Sequence, residues 1–182
     1  FMVPCTTMRL WSEERKTGSI ELLLTLPITV PQAVLGKFFA AWIFLGIALL
    51  LTFPMPLTVC WLGEPDIGLI VMGYLGTFLM AGGYLAVGSF FSAITKNQVI
   101  SFILAVVACA VLMYIGMPST LDFLASFLPL GLVQAVENMS IQAHFESIQK
   151  GVLEAKDILY YVILMVGWIA AGMIILEERK AA

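Results

Sequence analysis

The side chains able to do chemistry in this chain are few, and they gather in two places. One is Arg9-Leu-Trp-Ser-Glu-Glu-Arg-Lys-Thr-Gly-Ser-Ile-Glu-Leu-Leu-Leu-Thr-Leu-Pro27, and the other is His144-Phe145-Glu146-Ser147-Ile148. Neither has the make-up of a catalytic centre. His144 and Glu146 stand two apart, so on a helix they face different sides, and as metal ligands they lack a third partner. Ser89 follows Gly88, yet no His or Asp lies in plausible reach to activate it as a nucleophile. No Gly-x-x-x-x-Gly-Lys-Ser/Thr loop is present, so the chain has no phosphate cradle of its own. It also lacks a basic patch for nucleic acid.

What segment 9–27 can do is bind. Gly18 to Leu26 sets a small polar turn before a run of good helix formers. Ser19 can cap that run, Glu21 falls in its first turn where the helix dipole favours a negative charge, and Pro27 stops it. The residues alone leave two readings open: a short capped helix gripped by a soluble partner, or a solvated connector whose charges serve topology. The second cluster also leaves two. Phe145 anchors a surface helix while His144 and Glu146 face water or headgroups, or the motif lines a gate.

The elements that must position these segments are membrane spans. Of 182 residues, 61% are hydrophobic and 12% charged, with mean hydropathy +1.02. A soluble domain is about 45–50% apolar and about 25% charged. Long charge-free runs predict full spans over 38–62, 67–94, 99–117 and 158–176, with a polar turn at 95–98. The first charge-free run, Phe38 to Gly63, reaches roughly 39 Å at 1.5 Å per residue, more than the roughly 30 Å hydrocarbon core. Thr29, Pro31 and Gln32 read as its helix start with a capping box, Lys37 snorkels, and Trp61 suits the far interface. Pro54 and Pro56 should kink or end that helix.

The second run holds six of the fifteen glycines: Gly68, Gly73, Gly76, Gly82, Gly83 and Gly88. In lipid such residues let helices approach closely, although a merely permissive composition would look the same. Cys5, Cys60 and Cys109 fall in or beside apolar runs and read as small buried hydrophobes, not as a disulfide set or metal site.

Between the last two runs the chain changes character. Residues 123–136 are apolar but too short to cross, with Pro129 and Gly131 at the middle, which predicts a re-entrant segment. In 137–157, Ile141, Phe145, Ile148 and Val152 share one helical face, predicting a helix on the membrane surface, and Asp157 can cap the last span. Residues 1–8 read as the last turns of a span that begins earlier. With segment 9–29 cytoplasmic, Arg9, Arg15, Lys16, Lys37, Lys96, Arg179 and Lys180 lie inside and only Lys150 and Lys156 outside, the positive-inside direction. No ionisable residue falls within a full predicted span, which speaks against proton relays, ion-coupled transport and intramembrane hydrolysis.

Glu13-Glu14-Arg15-Lys16-x-Gly18-Ser19-x-Glu21-Leu22-Leu23-Leu24-Thr25-x-Pro27, followed by Gly36-Lys37, resembles the first cytoplasmic loop of ABC-2 type permeases. Thr95-Lys96-Asn97-Gln98 and His144-Phe145-Glu146-Ser147-Ile148 extend the likeness over essentially the whole chain. The gliding-motility type of ABC-2 permease is the one it looks most like.

The resemblance implies an all-α integral membrane protein with an ABC-2, type V exporter-like transmembrane domain. Here that domain is an N-terminally truncated fragment with four complete spans, a coupling helix, and a re-entrant and surface region over 119–157. It implies a multi-pass permease subunit of a bacterial inner membrane, exporting, with ATP bound by a separate ABC ATPase subunit and no cofactor in this chain. Glu14, Gly18, Ser19, Glu21, Leu22 and Leu23 would couple to that ATPase. A second permease copy or a homologous permease and the lipid complete the partners, and nucleic acid is not among them. The same machine could do mechanical or assembly work without cargo, or serve cofactor maturation, as the accessory permease of nitrous-oxide reductase does. His144, Phe145 and Glu146 favour the gliding type over that last one. The uncharged, Gly- and Phe-rich wall selects no substrate.

Overall fold

The computed structural model describes residues 2–17, 29–127, 129–151 and 154–181, and every regular element among them is a helix. In chain order these are α1 (Met2–Thr7), α2 (Ser12–Thr17), α3 (Val30–Leu50), α4 (Pro54–Leu62), α5 (Ile67–Ile94), α6 (Gln98–Tyr114), α7 (Pro118–Ala125), α8 (Leu130–Asn138), α9 (Ile141–Gln149) and α10 (Ala155–Ala181).

The starts of the long helices follow from local chemistry. At α3, Gln32 Oε1 accepts the Thr29 backbone N–H at 3.2 Å, and Pro31 sits in the first turn, where no donor is needed. The helix breaks at 51–53, and Pro54 opens α4. Asp66 Oδ1 caps α5 through the Gly68 N–H at 2.9 Å, and Asn97 Oδ1 caps α6 through the Val99 N–H at 3.0 Å.

Among the described residues three stretches are long and apolar enough to cross a membrane: Val30–Leu62, Ile67–Ile94 and Ala155–Glu178. A fourth candidate is α6, which at 17 residues reaches about 26 Å and then turns 70° into α7 at Pro118. α6 touches both α2 and α9. Because α2 packs on the end of α5 and α9 near its beginning, α6 runs the length of the bundle.

α5 is the central helix, packed against α1, α2, α3, α6, α9 and α10. Its glycines do not serve one seam. Gly76 seats Ile148 and Phe145 of α9, Gly82 seats Trp42 of α3 and Met165 of α10, Gly83 seats Leu164 and Tyr161 of α10, and Gly88 seats Thr7 of α1. Each absent side chain is the space in which a different neighbour lies. Among the described residues Gly73 has nothing within 4 Å of where a Cβ would be, so the close approach is specific to certain glycines. Around this axis Trp42 stacks on Phe78 with ring centroids 4.7 Å apart and donates its indole N–H to the Phe78 carbonyl at 3.0 Å. The outer face of α3 leaves Phe39, Ile43, Phe44, Ile47 and Leu50 exposed, the surface expected of a helix that meets hydrocarbon.

Three sequence expectations need correction. The helix around Ile141 and Ile148 does not turn its apolar face to lipid: both side chains are fully buried, docked against α5 and α10. The last helix begins at Ala155, so Asp157 lies within its first turn and not at its cap. Cys5 and Cys60 are exposed and Cys109 half-buried, all three as free thiols. At 118–138 the chain makes two short helices packed on each other, with Pro129 at the N-cap of α8 and Phe123, Phe127 and Leu132 exposed.

Candidate functional site

Two polar constructions stand at opposite ends of the bundle. At the α2 end the chain must leave α1, turn and start a new helix beside the end of α5. A helix start leaves backbone N–H groups without intrahelical partners, and a helix end leaves carbonyls in the same state. Here each helix satisfies the other. Ser92 Oγ, on α5, accepts the N–H groups of Trp11 at 3.1 Å and Ser12 at 3.2 Å, at the start of α2. Arg15, on α2, donates its Nη1–H to the carbonyl of Ala93, in the last turn of α5, at 2.5 Å. Ser12 and Ser92 are fully buried, and Trp11 is nearly so.

Lys37 of α3 closes the corner from the other side. Its ammonium pairs with Glu14, donates to the Leu10 carbonyl at 3.1 Å, and stands 4.0 Å from the centroid of the Trp11 ring. The lysine foreseen as snorkelling to headgroups turns instead onto the polar segment. Glu14 is thus placed, half-buried, in this corner. Gly18, Ser19, Glu21, Leu22 and Leu23 lie outside the described residues.

At the α9 end, Ser140 caps α9 by accepting from the N–H groups of Gln142 at 3.1 Å and Ala143 at 3.3 Å. That leaves His144 one turn in, facing α10. Its Nδ1 lies 2.6 Å from Oδ1 of Asp157, its Nε2 lies 3.0 Å from the Asn138 carbonyl oxygen, and its ring stacks on Tyr160 at 4.1 Å between centroids. The Tyr160 hydroxyl donates to the Met139 carbonyl at 2.5 Å and the Tyr161 hydroxyl to the Ile141 carbonyl at 3.1 Å. His144 therefore does not face water. Nε2 donates to a carbonyl and Nδ1 shares a proton with a carboxylate, so neither ring nitrogen is left to act as base or ligand. Glu146 accepts from the Gln142 amide at 3.3 Å, and Phe145 packs over Gly76. Among the described residues no three His, Cys, Asp or Glu side chains come together as a metal site.

Sequence reasoning singled out His144 and missed its partner. The sequence offers only a periodicity: Asp157, Tyr161, Met165, Ile169, Gly172 and Leu176 recur at helical spacing, and the structure buries all six on one face of α10. An acid at the head of a buried stripe needs a partner. Ser92 gave no such signal, since a serine among small residues reads as packing.

Comparison with known proteins adds one match. The model of the family described as ABC-2 family transporter protein matches residues 5–181. No curated protein and no solved structure matches the chain.

Proposed function

We propose, from the premise that this chain belongs to the ABC-2 family of transporter proteins and is a membrane permease subunit of an ABC transporter, that it exports its cargo under the drive of an ATPase carried on a separate subunit. ATP is bound and hydrolysed by that partner. This chain supplies the wall of the path and the lever that moves it. Segment 9–29 lies in the cytoplasm of a bacterial cell, with the coupling helix around Ser19 to Leu24 docked on the ATPase. α9 and the His144 cluster lie on the outer side. Two permeases face each other, and closure of the ATPases tilts the helices so that a cavity between the permeases changes access. The likeness to the gliding-motility type rests on the loop and on His144 to Glu146.

The observation that carries the coupling reading is the corner made by Ser92, Arg15 and Lys37. A merely solvated connector needs no buried hydrogen bonds to the transmembrane helices. A segment that transmits force does, because slack in it would absorb the stroke.

The test is Leu23→Asp, with the permease and its ATPase co-expressed and reconstituted in nanodiscs. Burying a leucine stabilises a contact by about 1.5–3 kcal/mol, and each 1.4 kcal/mol is tenfold in affinity. The variant should insert normally, lose co-purification with the ATPase, and lose permease-dependent ATP turnover. Gln149→Asp, at the far end of the bundle, should change neither. If Leu23→Asp keeps both readings at wild-type values, the loop helix is not the coupling element.

A further inference from the structure

We infer that Ser92 and Arg15 are positioning residues that make α2 and the end of α5 one rigid body, so that displacement of the loop is delivered to α5 and through it to α9. The inference rests on the coupling reading above and adds where the stroke goes.

The bonds at the corner run both ways. Ser92 supplies the acceptor that the start of α2 lacks, and Arg15 supplies the donor that the end of α5 lacks. Ser92 also donates to the Met8 carbonyl at 3.4 Å, so a single hydroxyl holds the first and last residues of the turn, Met8 and Trp11, and the first of the helix, Ser12. Ser92 has no exposure, so water cannot replace it as partner without opening the corner. Lys37 holds the same turn to α3 through the side chains of Glu14 and Trp11 and one carbonyl, which gives α3 a flexible grip beside the fixed grip of α5.

At its other end α5 carries α9. Ile148 and Phe145 sit over Gly76, and Ile141 and Ile148 are fully buried in the same packing. α5 is one continuous helix of 28 residues, with the start of α2 fixed near its end and the His144-bearing helix seated near its beginning. A tilt imposed at Ser92 moves the seat at Gly76, because a packed helix carries strain along its length.

The experiment measures affinity for the ATPase and stimulation of its turnover separately, in nanodiscs. Ser92→Ala should leave the Kd for the ATPase within about twofold and lower stimulation about tenfold, the factor that corresponds to about 1.4 kcal/mol. Ser92→Thr, which keeps the hydroxyl, should restore stimulation. A second arm joins cysteines at Glu13 and Lys96 with thiol cross-linkers of increasing length, after Cys5, Cys60 and Cys109 are changed to alanine. If α2 and α5 move as one body, at least one linker length joins them with stimulation intact. A nitroxide at Glu13 should be immobilised in the parent and mobile in Ser92→Ala. Unchanged stimulation in Ser92→Ala, or its loss at every linker length that joins the pair, would overturn the inference while the coupling reading stands. Failure of the unsubstituted permease to bind or stimulate its ATPase would instead remove the coupling reading.

Discussion

His144 and Asp157 form a tie between α9 and α10, with Nδ1 and Oδ1 2.6 Å apart and the carboxylate fully buried. Among the described residues the second carboxylate oxygen, Oδ2, has no hydrogen-bond partner, and the imidazole is what compensates this buried acid. Removing one partner of such a pair strands the other. His144→Ala should therefore destabilise the protein by about 3–5 kcal/mol. Asp157→Asn keeps an acceptor for Nδ1 and should lose less, about 1–2 kcal/mol. Replacing both, as His144→Phe with Asp157→Leu, should recover most of the loss, since apolar residues of similar volume satisfy the site without a desolvated charge. Unfolding midpoints in detergent decide the matter. A double variant no better than His144→Ala would mean that the pair is not the tie.

The glycines of α5 make a second prediction, because their surroundings differ. A Cβ on Gly88 would collide with the Thr7 side chain, and one on Gly82 would come within 2.8 Å of Met165 Sδ and 2.9 Å of Trp42 Nε1. Gly88→Ala and Gly82→Ala should each destabilise by about 1–3 kcal/mol, the usual cost of overpacking. Gly73→Ala meets open space and should be neutral, or stabilising by up to about 1 kcal/mol from helix propensity. The same unfolding assay ranks all three, and equal effects would show that composition alone accounts for the glycines.

Much of the fold was legible because hydrocarbon imposes simple rules. Charge-free runs locate α3, α5, α6 and α10, Pro54 marks the break at 51–53, and the polar turn at 95–98 separates α5 from α6. The facing of α9 was not legible. Ile141, Phe145 and Ile148 show an apolar stripe, but periodicity does not say whether protein or lipid covers it. The glycines showed that something comes close without showing that four neighbours do. The pairs Ser92–Trp11 and His144–Asp157 join residues that only the packed bundle brings together. The loop corner, which holds the transmembrane helices to the candidate coupling segment, was the part least open to sequence reading.

Topology is tested by labelling. With the three native cysteines replaced, Thr17→Cys should react with an impermeant maleimide only from the cytoplasmic side and Gln149→Cys only from the outer side. Both positions are exposed, so reactivity reports side and not burial. Reaction of both from one side would contradict the odd number of crossings between them.

The last prediction concerns Lys37. Its ammonium makes an ion pair with Glu14, a hydrogen bond to the Leu10 carbonyl and a contact with the face of Trp11. A half-exposed ion pair contributes roughly 0–1 kcal/mol, a cation over an aromatic ring about 0.5–1, and a charged hydrogen bond about 1.5–3. Lys37→Met removes all three while keeping the apolar stem. The segment from Leu10 to Glu14, the end of the turn and the start of α2, should then open more often, by tenfold or more, since each 1.4 kcal/mol is a factor of about ten. Arg15 and Lys16 are trypsin sites on α2, the helix that this corner holds, and cleavage of a transiently open segment tracks its open population. Trypsin added to inside-out vesicles should therefore cut after Arg15 and Lys16 faster in Lys37→Met than in the parent. Lys37→Arg, which keeps the charge with a different reach, should fall between them. Cleavage after Lys96, in the exposed turn between α5 and α6, should proceed equally in all three. If Lys37→Met leaves the Arg15 and Lys16 rates unchanged, the buried hydroxyl of Ser92 and the Arg15 bond hold the corner without help from α3.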